Sequence, residues 1–450
     1  MRHSVTSFFI VPLFLAAVAA GSQQAATRPS SQPTTKPLPM QAYEISKGPG
    51  GDLAAVVMLE QAEAQVPPDQ RNMWLDVLAT RLIFIGDHRK AQEFNSKAYA
   101  QLRPGDSDGS ELKDYKPASA VETIVKLAEG RRVLMLNEEH RSSRERAFAN
   151  ELLVPLKEAG FTHLALETIG EETAALEERK YPLMNDGFYT RDPVLGDLVR
   201  RALELGMGIV AYEADMSKMP ASVDRSNPIA PTNWRENEQA TNLANFVKDN
   251  PEARVVVWSG RHHMSEDAAE AGGGGQTWTP MGGIFKNISG IDPLTVDLMV
   301  LNEQTTRETE HKTYRWATEQ GLVQAPTIFV NEAGEPWSPL ADSIDAGVFF
   351  PRTSWKRGRP EWLKMGGARV GLSFDWSYAT PEKPTPERPL VVEARLAGES
   401  DEAVPLDRVI WREGEAPPLY VRPGKAYRFE LRDPEGNVIA RSSVKMNEQP

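Results

Sequence analysis

The stretch RRVLMLNEEHRSS (Arg131–Ser143) decides how this chain is read. Val133 to Asn137 suit a strand covered on both faces, the pattern of a parallel sheet. Such a strand ordinarily ends in a turn of Gly, Pro, Asn or Asp. This one runs straight into Glu138, Glu139 and His140. On an extended chain Glu138 and His140 point the same way, and Glu139 points to the other side as a bystander.

Working outward, strands and helices alternate. RERAFANELLVPLKEAG reads as a helix closed by Gly160, and HLALE (His163–Glu167) as a strand. A looser stretch, ETAALEERKYPLMNDGFYTRDP, precedes the helix DLVRRALELG. GIVAYEA, RVVVWSG and LTVDLMVL read as further strands, NEQATNLANFVKDN and MGGIFKNISG as helices, and a last strand is expected near Ala346–Phe350. The fold class expected is α/β: a mostly parallel sheet with helices on both faces, spanning residues 117–366.

The C-terminal ends of parallel strands lie on one edge, where ligands bind. Here they carry Glu138 and His140, then Glu167, then Glu213 and Asp215, then His262 and His263. One polar strand end is ordinary. Four that all carry Glu or His, using three of only seven histidines, point to a site. Histidine can take a proton from water near neutral pH with a glutamate orienting it. Two histidines and two glutamates could instead hold a divalent metal with a position open for water. Arg235 opens a predicted helix, where it opposes the dipole. It either faces solvent or turns to the rim to pair with a glutamate or an anionic substrate group. Tyr181, Tyr189 and Arg191 fall in the loop after the second strand and read more readily as ordinary loop residues than as pocket wall.

Other chemistries are excluded. The 450 residues contain no cysteine, so disulfides, thiol nucleophiles and thiolate metal sites are absent. GxSxG, HExxH and a phosphate-binding glycine loop are missing too. GGGG (Gly272–Gly275) reads as a flap or linker. A net charge of −12 argues against nucleic acid as a partner.

Residues 1–20 read as a secretory signal, with Arg2 before the apolar run VTSFFIVPLFLAAVAA. Export, to a bacterial periplasm, is the expectation, with no stable membrane span after cleavage. Residues 21–40 read as a flexible linker. Residues 41–104 have helical periodicity, and WLDVLATRLIFIGDHRKAQEFNSKAYAQL resembles one tetratricopeptide unit. A single unit cannot bury its own face, so it is expected to dock as a collar on the next domain. Residues 367–450 alternate with period two, with a hairpin turn at Asp433–Asn437. This predicts a small antiparallel β module with a packing or accessory role.

The order NEEH, LALE, YEAD, WRENEQATN, VVVWSGRHH, MGGIFKNISG resembles the erythromycin esterase/ChaN-like superfamily over Val121–Leu363. That superfamily includes haem-binding uptake lipoproteins, with the TIKI metalloproteases as distant relatives. The resemblance implies functional roles for Glu138, His140, Glu167, Arg235 with Glu236, and His263. Asn137 stands where the family usually has glycine. Gly260 stands where esterase-type members have the first histidine of His-Asn-x-His. The lipoprotein cysteine is absent. The expected function is a secreted hydrolase activating water against an ester, lactone or amide-like bond. His140 would be the base, Glu138 or Glu167 its orienter, and His263 with Arg235 would steady the oxyanion. The alternatives are a periplasmic haem-binding protein and a non-catalytic interaction protein. The expected ligand is thus a small-molecule substrate or haem, with a divalent metal or haem as cofactor.

Overall fold

The computed structural model describes residues 36–98, 109–170, 173–227, 229–271, 276–374, 376, 380 and 383–445. The expected signal, most of the linker and the GGGG stretch lie outside them.

Six strands form the central sheet: β1 (Val133–Glu138), β2 (His163–Leu166), β3 (Gly208–Ala211), β4 (Val255–Gly260), β5 (Leu294–Asp297) and β6 (Ala346–Gly347). Their order is β6-β5-β1-β4-β2-β3, and every pairing is parallel. The mostly parallel α/β fold expected from the apolar strands is therefore present. Two strands are shorter than LTVDLMVL and Ala346–Phe350 suggest. After β5 the Asp297 carboxylate accepts from Val300 N at 2.8 Å, which turns the chain out of the sheet. Beyond Gly347, Phe349 bridges instead to Thr327.

Alternate residues of the same strands feed two cores. Leu134, Leu136, Leu164, Leu166, Val256 and Trp258 pack with α5 (Ala120–Leu127), α6 (Arg144–Glu158) and α8 (Pro193–Glu204). Val133, Met135, Ala165, Val255 and Val257 pack on the other face with α9 (Ile229–Asp249) and α10 (Met281–Ser289). A continuous apolar strand is what two-sided burial requires. The loop before α8 holds one more helix, α7 (Thr173–Arg179), and a helical turn at Tyr189–Arg191.

Four helices, α1 (Leu38–Ile45), α2 (Gly51–Gln61), α3 (Arg71–Phe84) and α4 (His88–Ala98), make the N-terminal segment. The expected linker is too long by three residues, because α1 already begins at Leu38. Pro39 fits its first turn, where a missing N–H leaves nothing unsatisfied. The segment docks on the α/β domain as expected, through Phe84 against Phe188 and through Arg191 to Ser46 and Asp52, and it packs on a second surface as well. The core of this segment, built on Trp74, Leu78, Leu82 and Phe84, closes over Val391 and Ile410 of the C-terminal module. The Phe84 carbonyl accepts from Arg408 at 3.0 Å.

That module is a sheet of β7 (Leu390–Leu396), β8 (Asp407–Trp411), β9 (Ala426–Arg432) and β10 (Val438–Lys445), in the antiparallel order β8-β7-β9-β10. Buried ion pairs attach it to α8. Arg369 donates to Asp197 at 3.1 Å, and Arg200 grips Glu399 at 2.7 and 2.6 Å. No helix of the described residues is long and apolar enough to cross a membrane.

Candidate active site

Registry brings the strand ends together. Glu138, the last residue of β1, pairs with Gly260, the last of β4, and Leu166 pairs with Trp258. β2 stops one residue short of Glu167 and β3 two short of Glu213, so both carboxylates stand just above the sheet edge.

Glu138 is buried at 2% exposure and fully engaged. It points to the same face as Leu134 and Leu136, where α6 starts. Arg146, in the first turns of α6, donates Nε to Oε2 at 2.7 Å, and its Nη2 bonds Oε1. Trp258 Nε1 donates to Oε2 at 2.6 Å. Burial raises the Glu138 pKa, but the Arg146 guanidinium, followed by His140, outweighs it and holds the carboxyl below its ordinary value. A cation near a helix N-terminus opposes the dipole. Arg146 is kept there by Glu138 and by Asp192, which it reaches with Nη1 at 2.8 Å.

His140 Nδ1 lies 2.9 Å from Glu138 Oε1. Since Glu138 is ionised, it accepts from Nδ1, so the neutral form of this imidazole has its lone pair on Nε2. Tyr189 stacks on the imidazole with centroids 4.0 Å apart and planes 9° from parallel. Nε2 is buried and has no hydrogen-bond partner. It faces Gly260, where an added Cβ would collide with it and come within 3.1 Å of Glu167 Oε2. Glycine at 260 therefore makes room for the imidazole beside Glu167.

On the other side of Gly260 lies the second half of the cluster. Glu167 accepts from Gly260 N at 2.5 Å and from Arg235 Nη2 at 2.5 Å. Burial opposes its charge, yet Arg235, then His263 and His140, outweigh it and hold the carboxyl far below the ordinary range. Arg235 also clamps Glu213, with Nε at 2.9 Å. Its Nη1 stands 3.2 Å from His263 Nε2. α9 begins at Ile229, so Arg235 does not open the helix as expected. It lies in the second turn, past the reach of the unfavourable dipole. His263 Nδ1 pairs with Glu236 Oε1 at 2.6 Å. Burial works against protonation of His263, but Glu236 and Glu167 prevail and raise its pKa. The chain turns back to present His263 because Arg261 adopts a left-handed conformation, φ 46°. α10 then packs close: Gly282 N donates to the His263 carbonyl at 2.8 Å, and a Cβ at Gly282 would strike the Met264 carbonyl.

The structure thus draws Glu138, His140, Glu167, Arg235 and His263 into one buried cluster. Glu139 points elsewhere and accepts from Arg141 Nε at 2.6 Å. His262 interacts with Asp297, and burial lowers its pKa. Tyr181 donates no catalytic group here and lies by Ser400, whose N–H it accepts at 3.3 Å. Asn137 has a structural use: it donates to Asp297 Oδ1 at 2.8 Å and accepts from Leu298 N at 2.7 Å, tying β1 to the end of β5. Sequence reasoning missed Arg146, Asp192 and Trp258. Arg146 left one signal, a cation on the apolar stripe that continues through Ala149 and Leu153.

A divalent metal does not fit this donor set. Among the described residues no three His, Asp or Glu side chains are arranged to hold one. The carboxylate oxygens of Glu138 and Glu167 are taken up by arginines, an indole, an imidazole and a backbone N–H. Haem fares no better at the cluster. His263 has the Glu236 carboxylate 2.6 Å from Nδ1 and the Arg235 guanidinium 3.2 Å from Nε2, and His140 Nε2 faces the β4 backbone.

No family model matches the chain, and no curated protein matches it. Some solved structures do. The type III effector HopBA1 is 15% identical with a TM-score of 0.30, covering 45% of this chain and 96% of its own. RRSP, a MARTX toxin effector domain from Vibrio vulnificus CMCP6, is 18% identical with a TM-score of 0.27, covering 46% of this chain and 43% of its own. The C-terminal region of Pasteurella multocida toxin, described with a thiol-protease-like catalytic triad, is 11% identical with a TM-score of 0.26, covering 83% of this chain and 57% of its own. This chain therefore spans less than two thirds of the latter two structures. Having no cysteine, it cannot carry a thiol triad.

Proposed function

We propose that this protein is a hydrolase in which His140 activates water. The observation that carries the reading is the state of one imidazole: Nδ1 is anchored on an ionised Glu138, while Nε2 is buried, unpartnered and packed against Gly260. A lone pair held that way costs desolvation, and a water or hydroxyl proton is what it is oriented to accept.

In this reading Nε2 takes a proton from water as its oxygen bonds the substrate carbonyl carbon. The charge that develops on the carbonyl oxygen is met by the cationic side of the cluster, Arg235 and His263. As the carbon–leaving-group bond breaks, His140 Nε2 returns that proton to the departing oxygen or nitrogen, which leaves the imidazole neutral again. Glu138 and Glu236 orient the two imidazoles, and Glu167 with Glu213 fixes Arg235. The resemblance to the erythromycin esterase/ChaN-like superfamily suggests an ester or lactone substrate, acted on after export.

The test is a panel of chromogenic esters, lactones and anilides assayed with wild type, His140→Ala and Glu138→Gln. Loss of about two to four powers of ten in His140→Ala supports the role. Equal rates in all three proteins for every substrate turned over would refute it.

A further inference from the structure

Away from the rim, a cavity of about 660 Å³ opens where the α1–α2 turn, the loop before Tyr189–Arg191 and the C-terminal module meet. Its size falls within the roughly 300–1,000 Å³ of small-molecule sites. Lys47, Arg191, Arg395, Arg408 and Arg432 line it.

Carboxylates on this wall are shared among too many cations. Glu393 alone receives Arg395 Nε at 2.9 Å, Arg408 Nε at 2.8 Å and Arg432 Nε at 3.1 Å. Asp52 is divided between Arg81 at 2.6 Å and Arg191 at 3.3 Å. Asp433, the third carboxylate lining the cavity, is itself paired with Arg388 at 3.2 Å, so five cations face three carboxylates there. Arg191 Nε is buried with no hydrogen-bond partner, although its Nη2 reaches the Ser46 carbonyl at 3.1 Å. Lys47 is exposed at the cavity, with its ammonium 4.0 Å above the Tyr43 ring. A wall with surplus positive charge and a buried guanidinium N–H left over is stabilised by an added anion. Tyr43, Phe188, Ile85 and Val391 supply apolar surface in the same space.

We infer that this cavity is a second ligand site, binding a small organic dianion whose charged oxygens meet Arg191 and Lys47 and whose carbon body lies on Tyr43 and Phe188. Cavity and rim are joined by one turn, since Arg191 lines the first and Tyr189 stacks on His140.

Phenyl phosphate is the probe, with phenol as its neutral counterpart, titrated calorimetrically into the full chain. One-to-one binding of phenyl phosphate is expected, weakened at least about tenfold by Arg191→Gln, the loss of one charge-assisted contact. Lys47→Gln, an exposed change that leaves folding intact, should weaken it by about threefold or more. Phenol should not compete, and His263→Gln should leave binding unchanged. The inference is overturned if phenol binds as well, if no saturation is seen at about 10 mM phenyl phosphate, if Lys47→Gln and Arg191→Gln are without effect, or if His263→Gln abolishes binding and so places the anion at the rim.

Discussion

Replacing Gly260 with alanine adds one carbon at the centre of the rim. The new Cβ would collide with His140 Nε2 and Cε1 and stand 3.1 Å from Glu167 Oε2. Gly260 has no left-handed backbone to preserve, so the effect is steric alone. β4 cannot retreat, because it is hydrogen-bonded between β1 and β2. The imidazole must therefore swing away. That breaks its bond to the ionised Glu138, worth about 1.5–3 kcal/mol, and its stacking on Tyr189, worth about 0.5–1.5 kcal/mol. We expect Gly260→Ala to lose about 2–4 kcal/mol in urea denaturation. Hydrolysis should fall about as far as in His140→Ala, by two to four powers of ten. The decisive measurement is a double-mutant cycle on stability, which needs no substrate. In Gly260→Ala with His140→Ala the collision partner is gone, so the second substitution should relieve part of the first, with a coupling of about 1 kcal/mol or more. Additivity within about 0.5 kcal/mol would refute the packing argument. Full turnover in Gly260→Ala would refute the placement of the base.

Arg146→Met leaves the buried Glu138 and Asp192 carboxylates without their cation, and should cost about 3–5 kcal/mol in denaturant midpoint analysis. His263→Gln tests the second imidazole through pH. Because Glu236 and Glu167 raise the folded pKa of His263 above its ordinary 6.5, its pairing stabilises fully below pH 6.5 and fades as pH rises through the folded value. The stability gap between wild type and His263→Gln should thus be larger near pH 6 than near pH 9 (about three units apart), and a gap independent of pH would count against the pairing. Removing residues 367–450 strips Arg369, Arg408 and Arg422 from Asp197 and the Phe84 carbonyl, and uncovers Val391-facing and Ile410-facing apolar surface. The truncated chain should show no cooperative thermal transition by circular dichroism.

The parallel sheet was legible because its evidence is local. Four apolar residues in a row at Val133, and again at Val255 with its neighbours, are best satisfied by burial on two faces, and parallel strands must end on one edge. That topology alone brings Glu138, His140, Glu167 and His263 to a common rim, and the two-residue spacing of Glu138 and His140 puts them within 2.9 Å. What the chain order could not reveal is how each of these groups is held. Arg146 and Trp258 reach Glu138 from a helix start and from a strand 120 residues away. The worth of Gly260 depends on an imidazole that approaches from β1, and no local pattern encodes which side chain fills the volume a missing Cβ leaves. The N-terminal helices show by their apolar faces that they must dock. One of their partners is a strand whose Arg408 lies 324 residues from Phe84, and such pairing is chosen by complementarity of surfaces that exist only after both elements have folded. Periodicity within a short stretch reports which face is buried; only the assembled fold decides what buries it, and with that, which nitrogen of His140 is left without a partner.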